Sequence, residues 1–349
     1  MDTRKIIDDL LGVSLSFLTP YYKQGRGNAT TARRIMTGLG QTEMNTNVVA
    51  YDEQSFSRDL VETIKKSDLL HVLHFRRFAE WLEKNDYQVE KPYVITSGGT
   101  DVNIDIFSSE YKEKIGQVLR NATAITVFSD DAKQKLAEVY PEVTEKVHIV
   151  KQSVWFPHDA SSNSTVSFAE VGPNILLPAG LRPVKDVLFV LPALVKLKEQ
   201  FPSLTFTILG APLEKSVVKA VRQAQEKYPW IDYFEEVALE EMEGVYLQSD
   251  IIINTSLSEG QSSALLEAMF LGKPVVARNN GGNQSIVTHD KTGFLFENVN
   301  EFYEQIKLLL TKDEIKEGIA LNGRKYVEEH HSLNEEIESY LNLYLQILK

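Results

Sequence analysis

Residues 251–277 read IIINTSLSEGQSSALLEAMFLGKPVVA, and the fold class follows from how that run divides. Ile251–Asn254 is a short β-branched run, the length of a buried strand and too short for a helix. Ala264–Leu271 is apolar on nearly every face except at Glu267, and Gly272 and Pro274 supply helix-stop signals. Pro274–Ala277 is a second short apolar run. Strand, polar loop, buried helix and strand again make one βαβ unit, whose two strands lie parallel in one sheet.

The same alternation continues in both directions. Upstream, strands are expected at Val13–Leu18, Asn47–Tyr51, Leu69–Leu73, Tyr93–Thr96, Ala124–Phe128 and Val147–Lys151, and again at Asn174–Leu177, Thr205–Leu209 and Ile231–Phe234. Gly293–Phe296 follows downstream. Between strands lie amphipathic stretches such as Ala132, Leu136, Val139 and Tyr140, with Ser129 placed to cap and Pro141 to end the helix. The fold class is therefore α/β, with parallel sheets covered by helices on both faces. Phe156–Gly172 is polar and without period around His158–Ser164, so it reads as a linker. Two domains result, 1–155 and 173–331, followed by a last helix at 332–349. That helix carries Tyr340, Leu341, Tyr344, Leu345 and Leu348 on one stripe, which needs a docking surface, with the first domain as the candidate.

At 349 residues, 43% apolar and 25% charged, the chain can fill two ordinary cores. It has 49 acidic against 37 basic residues and a net charge of −12. That balance argues against nucleic acid and anionic lipid as partners, both of which need a basic face. An anionic ligand must then be held by a few local cations and backbone amides. The absence of cysteine excludes disulfides, thiolate nucleophiles and Cys-ligated metals. The longest apolar stretches, Leu10–Leu18 and Val187–Val195, are about half of what a bilayer requires, so no transmembrane segment is expected. Asp8 and Asp9 precede the first of them where a signal peptide would be basic, which predicts a cytoplasmic protein.

In open α/β sheets ligands sit beyond the carboxyl ends of the strands, so residues directly after strands carry the chemistry. After Ile251–Asn254 come Glu259, Gly260, Gln261, Ser262 and Ser263, and then Glu267 within the helix. An unpaired carboxylate among apolar neighbours is costly. A capping box does not explain Glu267, since Ala264 stands three residues before it. One reading is an exposed loop acid and a salt-bridged helix acid. The other is a site: the amides of residues 260–263 face an anion at the helix N-terminus, and the two carboxylates accept hydrogen bonds from sugar hydroxyls.

Glu259 and Glu267, with seven residues between them, and the surrounding run from Ser256 to Ala277 resemble the E-x7-E signature of GT-B glycosyltransferases, family 4. The resemblance covers Leu176–Phe296. It implies two Rossmann-like parallel-sheet domains facing a central cleft, with the C-terminal helices packing back towards the first domain. It further implies a retaining transferase that takes a nucleotide diphosphate sugar, UDP-sugar first, on the second domain and a small acceptor on the first. In that family the first Glu contacts donor-sugar hydroxyls and the second the ribose, which assigns Glu259 and Glu267. Gly180, Arg182 and Lys185 match the family's Gly-x-Arg and the lysine said to open a helix. Fixed cations there stabilise a departing diphosphate more in the transition state than in the ground state. No metal and no further cofactor are then required, and no Asp-x-Asp stands at a strand end.

In the first half, Gly25-x-Gly27-x-x-Thr30 comes near a dinucleotide fingerprint. Thr30 stands where a third glycine belongs, and six residues separate the strand from Gly25, so a nicotinamide site is not expected. In the family this loop closes over donor phosphates, which fits Gly27 and Asn28. His74, Arg76 and Arg77 follow the third strand, and Ser97-Gly98-Gly99-Thr100-Asp101 the fourth. This set is also similar, more distantly, to that of bacterial selenosugar synthases. It implies His74 as a catalytic residue and Thr30, Arg76, Arg77 and Asp101 as acceptor ligands. Two adjacent arginines in an acidic chain would suit a compact anionic acceptor; a solvated pair on a helix's first turn is the alternative. At the level of function, the alternatives are a non-catalytic nucleotide-sugar sensor and a GT-B NDP-sugar epimerase or hydrolase.

Overall fold

The computed structural model describes residues 3–24, 27–97, 99–157, 166, 168 and 172–349, with residues 3–5 as backbone only. Gly25, Gly98 and residues 158–165, 167 and 169–171 of the expected linker lie outside the described residues. In chain order the first six strands are β1 (Ser14–Thr19), β2 (Asn45–Ala50), β3 (Leu69–Leu73), β4 (Tyr93–Thr96), β5 (Ala124–Val127) and β6 (Val147–Ile149). The next six are β7 (Asn174–Pro178), β8 (Thr205–Leu209), β9 (Ile231–Phe234), β10 (Ile251–Asn254), β11 (Val275–Arg278) and β12 (Phe294–Phe296). All twelve were expected from the sequence, with ends displaced by no more than two residues.

The helices in the first half are α1 (Thr3–Asp9), α2 (Gly27–Leu39), α3 (Arg58–Lys66), α4 (Phe75–Lys84), α5 (Thr100–Asn103), α6 (Lys112–Asn121) and α7 (Asp130–Val139). Then come α8 (Leu191–Gln200), α9 (Lys215–Lys227), α10 (Met242–Leu247), α11 (Ser263–Phe270), α12 (Gly281–Gln284), α13 (Val299–Thr311), α14 (Asp313–His330) and α15 (Leu333–Leu348). Ser129 caps α7 by accepting from the Ala132 amide, and a 3-10 turn starts at Pro141. Among the described residues, no helix is long and apolar enough to cross a membrane.

Two compact units form, Met1–Ser153 with Ser332–Lys349, and Val154–His331. Of the stretch read as a linker, Phe156, Val166 and Phe168 pack into the core of the second unit. Each unit holds one six-stranded parallel sheet, in the order β2-β1-β3-β4-β5-β6 in the first and β12-β11-β10-β7-β8-β9 in the second. Winding therefore reverses between β1 and β3 in one sheet and between β7 and β10 in the other. These are the switch points where the loops following adjacent strands diverge and leave room for a ligand.

Successive side chains alternate faces along each strand. In β3, Leu70 and Val72 join one core while Leu69 and Leu73 join the core on the opposite face. In β10, Ile251 and Ile253 face one way and Ile252 the other. Burial on both faces accounts for strands that read as continuous apolar runs.

Helix α15 closes the first unit. Tyr340, Leu341, Tyr344 and Leu345 are buried in the core that holds Leu15, Phe17 and Ile35. His71, expected to be structural, is fully buried under it, with Nδ1 on Tyr344 Oη and Nε2 on Thr96 Oγ1. Burial drives its pKa down to about 3, so it is neutral. An ion pair fixes the helix: Arg34 Nε and Nη2 donate to Glu336 Oε2 and Oε1 at 2.8 and 2.9 Å. The Ser153 amide donates to Glu336 Oε2 at 3.1 Å, as does its hydroxyl.

Glu336→Ala leaves Arg34 buried without its partner and is expected to cost about 3–5 kcal/mol. The measurement is the urea midpoint of the first unit's transition. A loss under about 1 kcal/mol, the scale of an exposed pair, would show that Glu336 does not anchor the helix.

Candidate active site

The second unit gathers its chemistry at the β7/β10 switch point. The loop after β7 runs through Ala179–Asp186, and the loop after β10 through Thr255–Ser262. Because the two strands are neighbours, residues 74 positions apart meet. Lys185 Nζ donates to Glu259 Oε1 at 2.5 Å, with side chains 17% and 13% exposed. The same oxygen accepts from Ser256 Oγ at 2.7 Å and Asn254 Nδ2 at 3.1 Å. Burial alone would raise the Glu259 pKa, but the Lys185 charge and these hydrogen bonds outweigh it and hold the carboxyl below its ordinary value.

The two loops are also laced together directly. Thr255 Oγ1 donates to the Lys185 carbonyl at 2.7 Å, and the Leu257 amide to the Val184 carbonyl at 2.9 Å. Arg278, at the end of β11, donates to Asp186 at 2.7 Å while lying 4.1 Å over the Phe189 ring. Gly282, the second residue of α12, presses on the Glu259–Gly260 backbone: a Cβ there would stand 2.4 Å from the Glu259 carbonyl oxygen.

One expectation is corrected here. Lys185 does not open a helix. It closes a single 3-10 turn at Pro183–Lys185, and α8 begins only at Leu191. Pro183 starts the turn, and Asp186 takes a left-handed backbone (φ 42°) that ends it. Arg182 sits just before the turn in extended conformation. Its Nε is buried without a hydrogen-bond partner, and among the described residues no carboxylate pairs with it. Gly180 lies beside Gly210, where a Cβ would strike the Ala179 carbonyl and the Gly180 amide.

Helix α11 begins one residue earlier than the sequence suggested. Ser262 is its N-cap, accepting from the Leu265 amide and from Asn254 Nδ2. Gln261 reaches Ser285 Oγ at 3.1 Å. Glu267 is 7% exposed and takes a hydrogen bond from Tyr246 Oη at 2.7 Å. Burial, and then the neighbouring Glu267 charge, push the Tyr246 hydroxyl well above its ordinary pKa, so it remains a donor. Sequence reasoning missed Tyr246, Asn254, Arg278 and Asn283. Only Asn254 carried a signal, as a polar residue ending an apolar strand.

In the first unit, Gly27 and Asn28 form the first turn of α2, and Thr30 lies one turn along. His74, between β3 and α4, has φ 75°, a conformation costly for a residue with a Cβ. It is buried, and its Nδ1 lacks a hydrogen-bond partner, lying 3.7 Å from Asp101 Oδ2. Burial lowers its pKa more than Asp101 raises it, so the ring is neutral. Asp101 is fully buried and serves the backbone, accepting from the amides of Phe75, Gly99 and Val102 and from Ser97 Oγ. It thereby pins the start of α4 and with it His74.

The two arginines do not converge into one anion site. Arg76 bonds Asp105 at 2.8 Å and Glu80 at 3.1 Å, over the Tyr111 ring. Arg77 bonds Asp52 at 3.0 Å and Tyr21 Oη at 2.9 Å. Adjacent positions on a helix point about 100° apart, and each head group finds its own carboxylate.

Residues 165–326 match the family described as Glycosyl transferases group 1. Glycosyltransferase 1 domain-containing protein 1 of Xenopus tropicalis is 30% identical over 335 residues, spanning 92% of this chain and 94% of that protein. Spore coat protein SA of Bacillus subtilis (strain 168) is 24% identical over 85% of this chain and 83% of its own. Among solved structures, Anabaena Alr3699/HepE in complex with UDP-glucose superposes with a TM-score of 0.76 at 17% identity, over 95% of this chain and 99% of that one. Sucrose-phosphate synthase from Thermosynechococcus elongatus gives 0.74 at 15%, over 96% and 98%.

Because the folded Glu259 pKa is depressed, the ion pair's stabilisation is present above the unfolded carboxyl's range and is lost as pH falls through the folded value. Lys185→Met is expected to cost about 1–3 kcal/mol at about pH 7. The loss should shrink as the pH is lowered through and below the ordinary carboxylate range, as Glu259 protonates in the unaltered protein and the ion pair is lost there too. Urea unfolding of the second unit across that range measures it, and a pH-independent loss would mean that packing, not charge, is what Lys185 contributes.

Proposed function

The chain belongs to the group 1 glycosyl transferases and has their GT-B fold, and on that footing we propose that it moves a sugar from a nucleotide diphosphate sugar to a small acceptor. The observation that carries the reading is Arg182. Its Nε is buried and unpartnered and, among the described residues, no carboxylate pairs with it, which supports reading it as the anion site after β7 in a chain whose net charge is −12. A diphosphate supplies the charge and the oxygens that such a planar fork takes in pairs. Lys185 gives one N–H to Glu259 and keeps two for the same group. Together they would stabilise the departing diphosphate, so the transfer is proposed to need no metal. Glu259 faces the sugar hydroxyls and Glu267, steadied by Tyr246, the ribose. UDP is the first nucleotide to test, given the UDP-glucose complex of the Anabaena neighbour.

On the first unit, His74 is the proposed catalytic contact. It is held in a strained backbone by Asp101, and its neutral ring has a nitrogen without a protein partner. Thr30 and Arg77 are proposed to contact the acceptor, Arg77 through the N–H groups that Tyr21 and Asp52 do not use. Retention at the anomeric carbon is part of the same proposal, from the resemblance to family 4.

UDP-glucose, GDP-glucose and ADP-glucose are to be compared by thermal shift. A ligand at a hundred times its Kd adds about 2.7 kcal/mol, and each kcal/mol moves the Tm of a unit this size by about 2–4 °C. UDP-glucose is expected to stabilise. Arg182→Ala is expected to weaken UDP binding by about 1.5–3 kcal/mol, the loss of a charge-assisted hydrogen bond. Unchanged UDP affinity in that variant, or no response to any nucleotide sugar, would overturn the reading. Binding without release of UDP in the presence of any acceptor would point instead to a sensor.

A further inference from the structure

Glu259 is oriented by a relay that starts on another strand's loop. Asn254, the last residue of β10, donates through Nδ2 to Glu259 Oε1 at 3.1 Å and to Ser262 Oγ at 3.2 Å. Its Oδ1 accepts from the Ser256 amide at 3.0 Å and from Asn283 Nδ2 at 3.2 Å. Asn283 is fully buried, and its amide nitrogen also donates to the Arg278 carbonyl at 2.9 Å. Its own Oδ1 is buried without any hydrogen-bond partner. Asn280 completes the frame, donating to the Ser256 carbonyl at 2.9 Å and accepting from the Asn283 amide at 3.0 Å.

The relay permits one sense only. Turning the Asn254 side-chain amide over would set its NH2 against two donors, the Ser256 amide and the Asn283 NH2, and its oxygen against the Glu259 carboxylate. Asn283 retains an orphaned buried oxygen, an unfavourable state for a side chain that an apolar residue could replace. What the asparagine supplies in return is its NH2, shared between Asn254 and the Arg278 carbonyl. Gly282, immediately before it, packs on the Glu259 backbone, so the start of α12 grips Glu259 both at the main chain and, through Asn254, at the carboxylate.

We propose that Asn254, oriented by Asn283, is a positioning residue that fixes the direction of the Glu259 carboxylate toward the donor sugar. The inference rests on the sugar-facing role of Glu259 given above. It assigns Asn254 and Asn283 no contact with substrate.

Asn254→Asp tests it, because the substitution keeps the shape of the side chain and the Oδ1 bonds to Ser256 and Asn283. It replaces the NH2, which donates to Glu259 and to Ser262 Oγ, and puts a like charge beside Glu259. By calorimetry, UDP-glucose is expected to bind about tenfold or more weakly while UDP changes by less than about threefold. By carbon-13 NMR of labelled glutamate carboxyls, with the Glu259 signal identified by its loss in Glu259→Gln, the Glu259 midpoint should rise by about one pH unit. Asn283→Ala should reproduce part of the sugar-specific loss, and adding it to Asn254→Asp should cost nothing further. Equal losses for UDP and UDP-glucose, additive losses in the double variant, or an unmoved Glu259 midpoint would each overturn the proposal. Should the unaltered protein bind UDP-glucose no better than UDP, the sugar-facing role of Glu259 fails, and the ligand-free NMR midpoint alone then decides whether Asn254 holds the carboxylate.

Discussion

A carboxylate withdrawn from water stays ionised only where the protein supplies compensating charge and donors, and the Lys185–Glu259 pair is where the second unit meets that condition. Everything around the pair follows from it. The two residues come from loops after β7 and β10, which diverge because the winding of the sheet reverses between them. Side-chain and main-chain hydrogen bonds then stitch the loops together at Thr255, Leu257 and Asn280. Without those cross-links a lysine on a short turn would lose more conformational entropy than one ion pair repays. With them, the turn that carries Lys185 is fixed by its neighbours before the ion pair forms.

Much of this was legible in the sequence because strands buried on both faces announce themselves as short apolar runs, and helix ends as capping and stop residues. β3, β8, β9 and β10 begin and end where the residues suggested, and Ser129 caps α7 as read. Glu267 stood out because an acid on an apolar helix demands a partner. The identity of that partner was not legible. Tyr246 lies on a different helix, and nothing in the intervening residues ties the two together. The Arg34–Glu336 pair spans 302 positions and joins the second helix of the chain to the last, a contact that only the folded sheet and its covering helices create. Periodicity reports which face of an element is buried, not what it is buried against. The loop at Arg182–Lys185 was misread for a related reason. The family resemblance implied a helix opening at Lys185, whereas Pro183 followed by the left-handed Asp186 makes one closed turn, with α8 delayed to Leu191.

The arginines show why residue type alone does not locate an anion site. Arg34, Arg76, Arg77 and Arg278 each face a carboxylate within 3.0 Å. In those places the guanidinium is a structural element: it ties helices together, or steadies a turn, and the charge it brings is cancelled where it stands. Arg182 has the same side chain and no such partner among the described residues. In a chain with 49 acidic residues, a carboxylate could readily have been placed beside it. A partly buried cation left uncompensated raises the free energy of the empty protein, and an incoming anion recovers that cost on binding. An arginine left without a carboxylate is therefore better placed to take an anion than one already paired. Arg76 and Arg77, the pair that looked basic by sequence, already spend part of their charge on Asp105, Glu80 and Asp52.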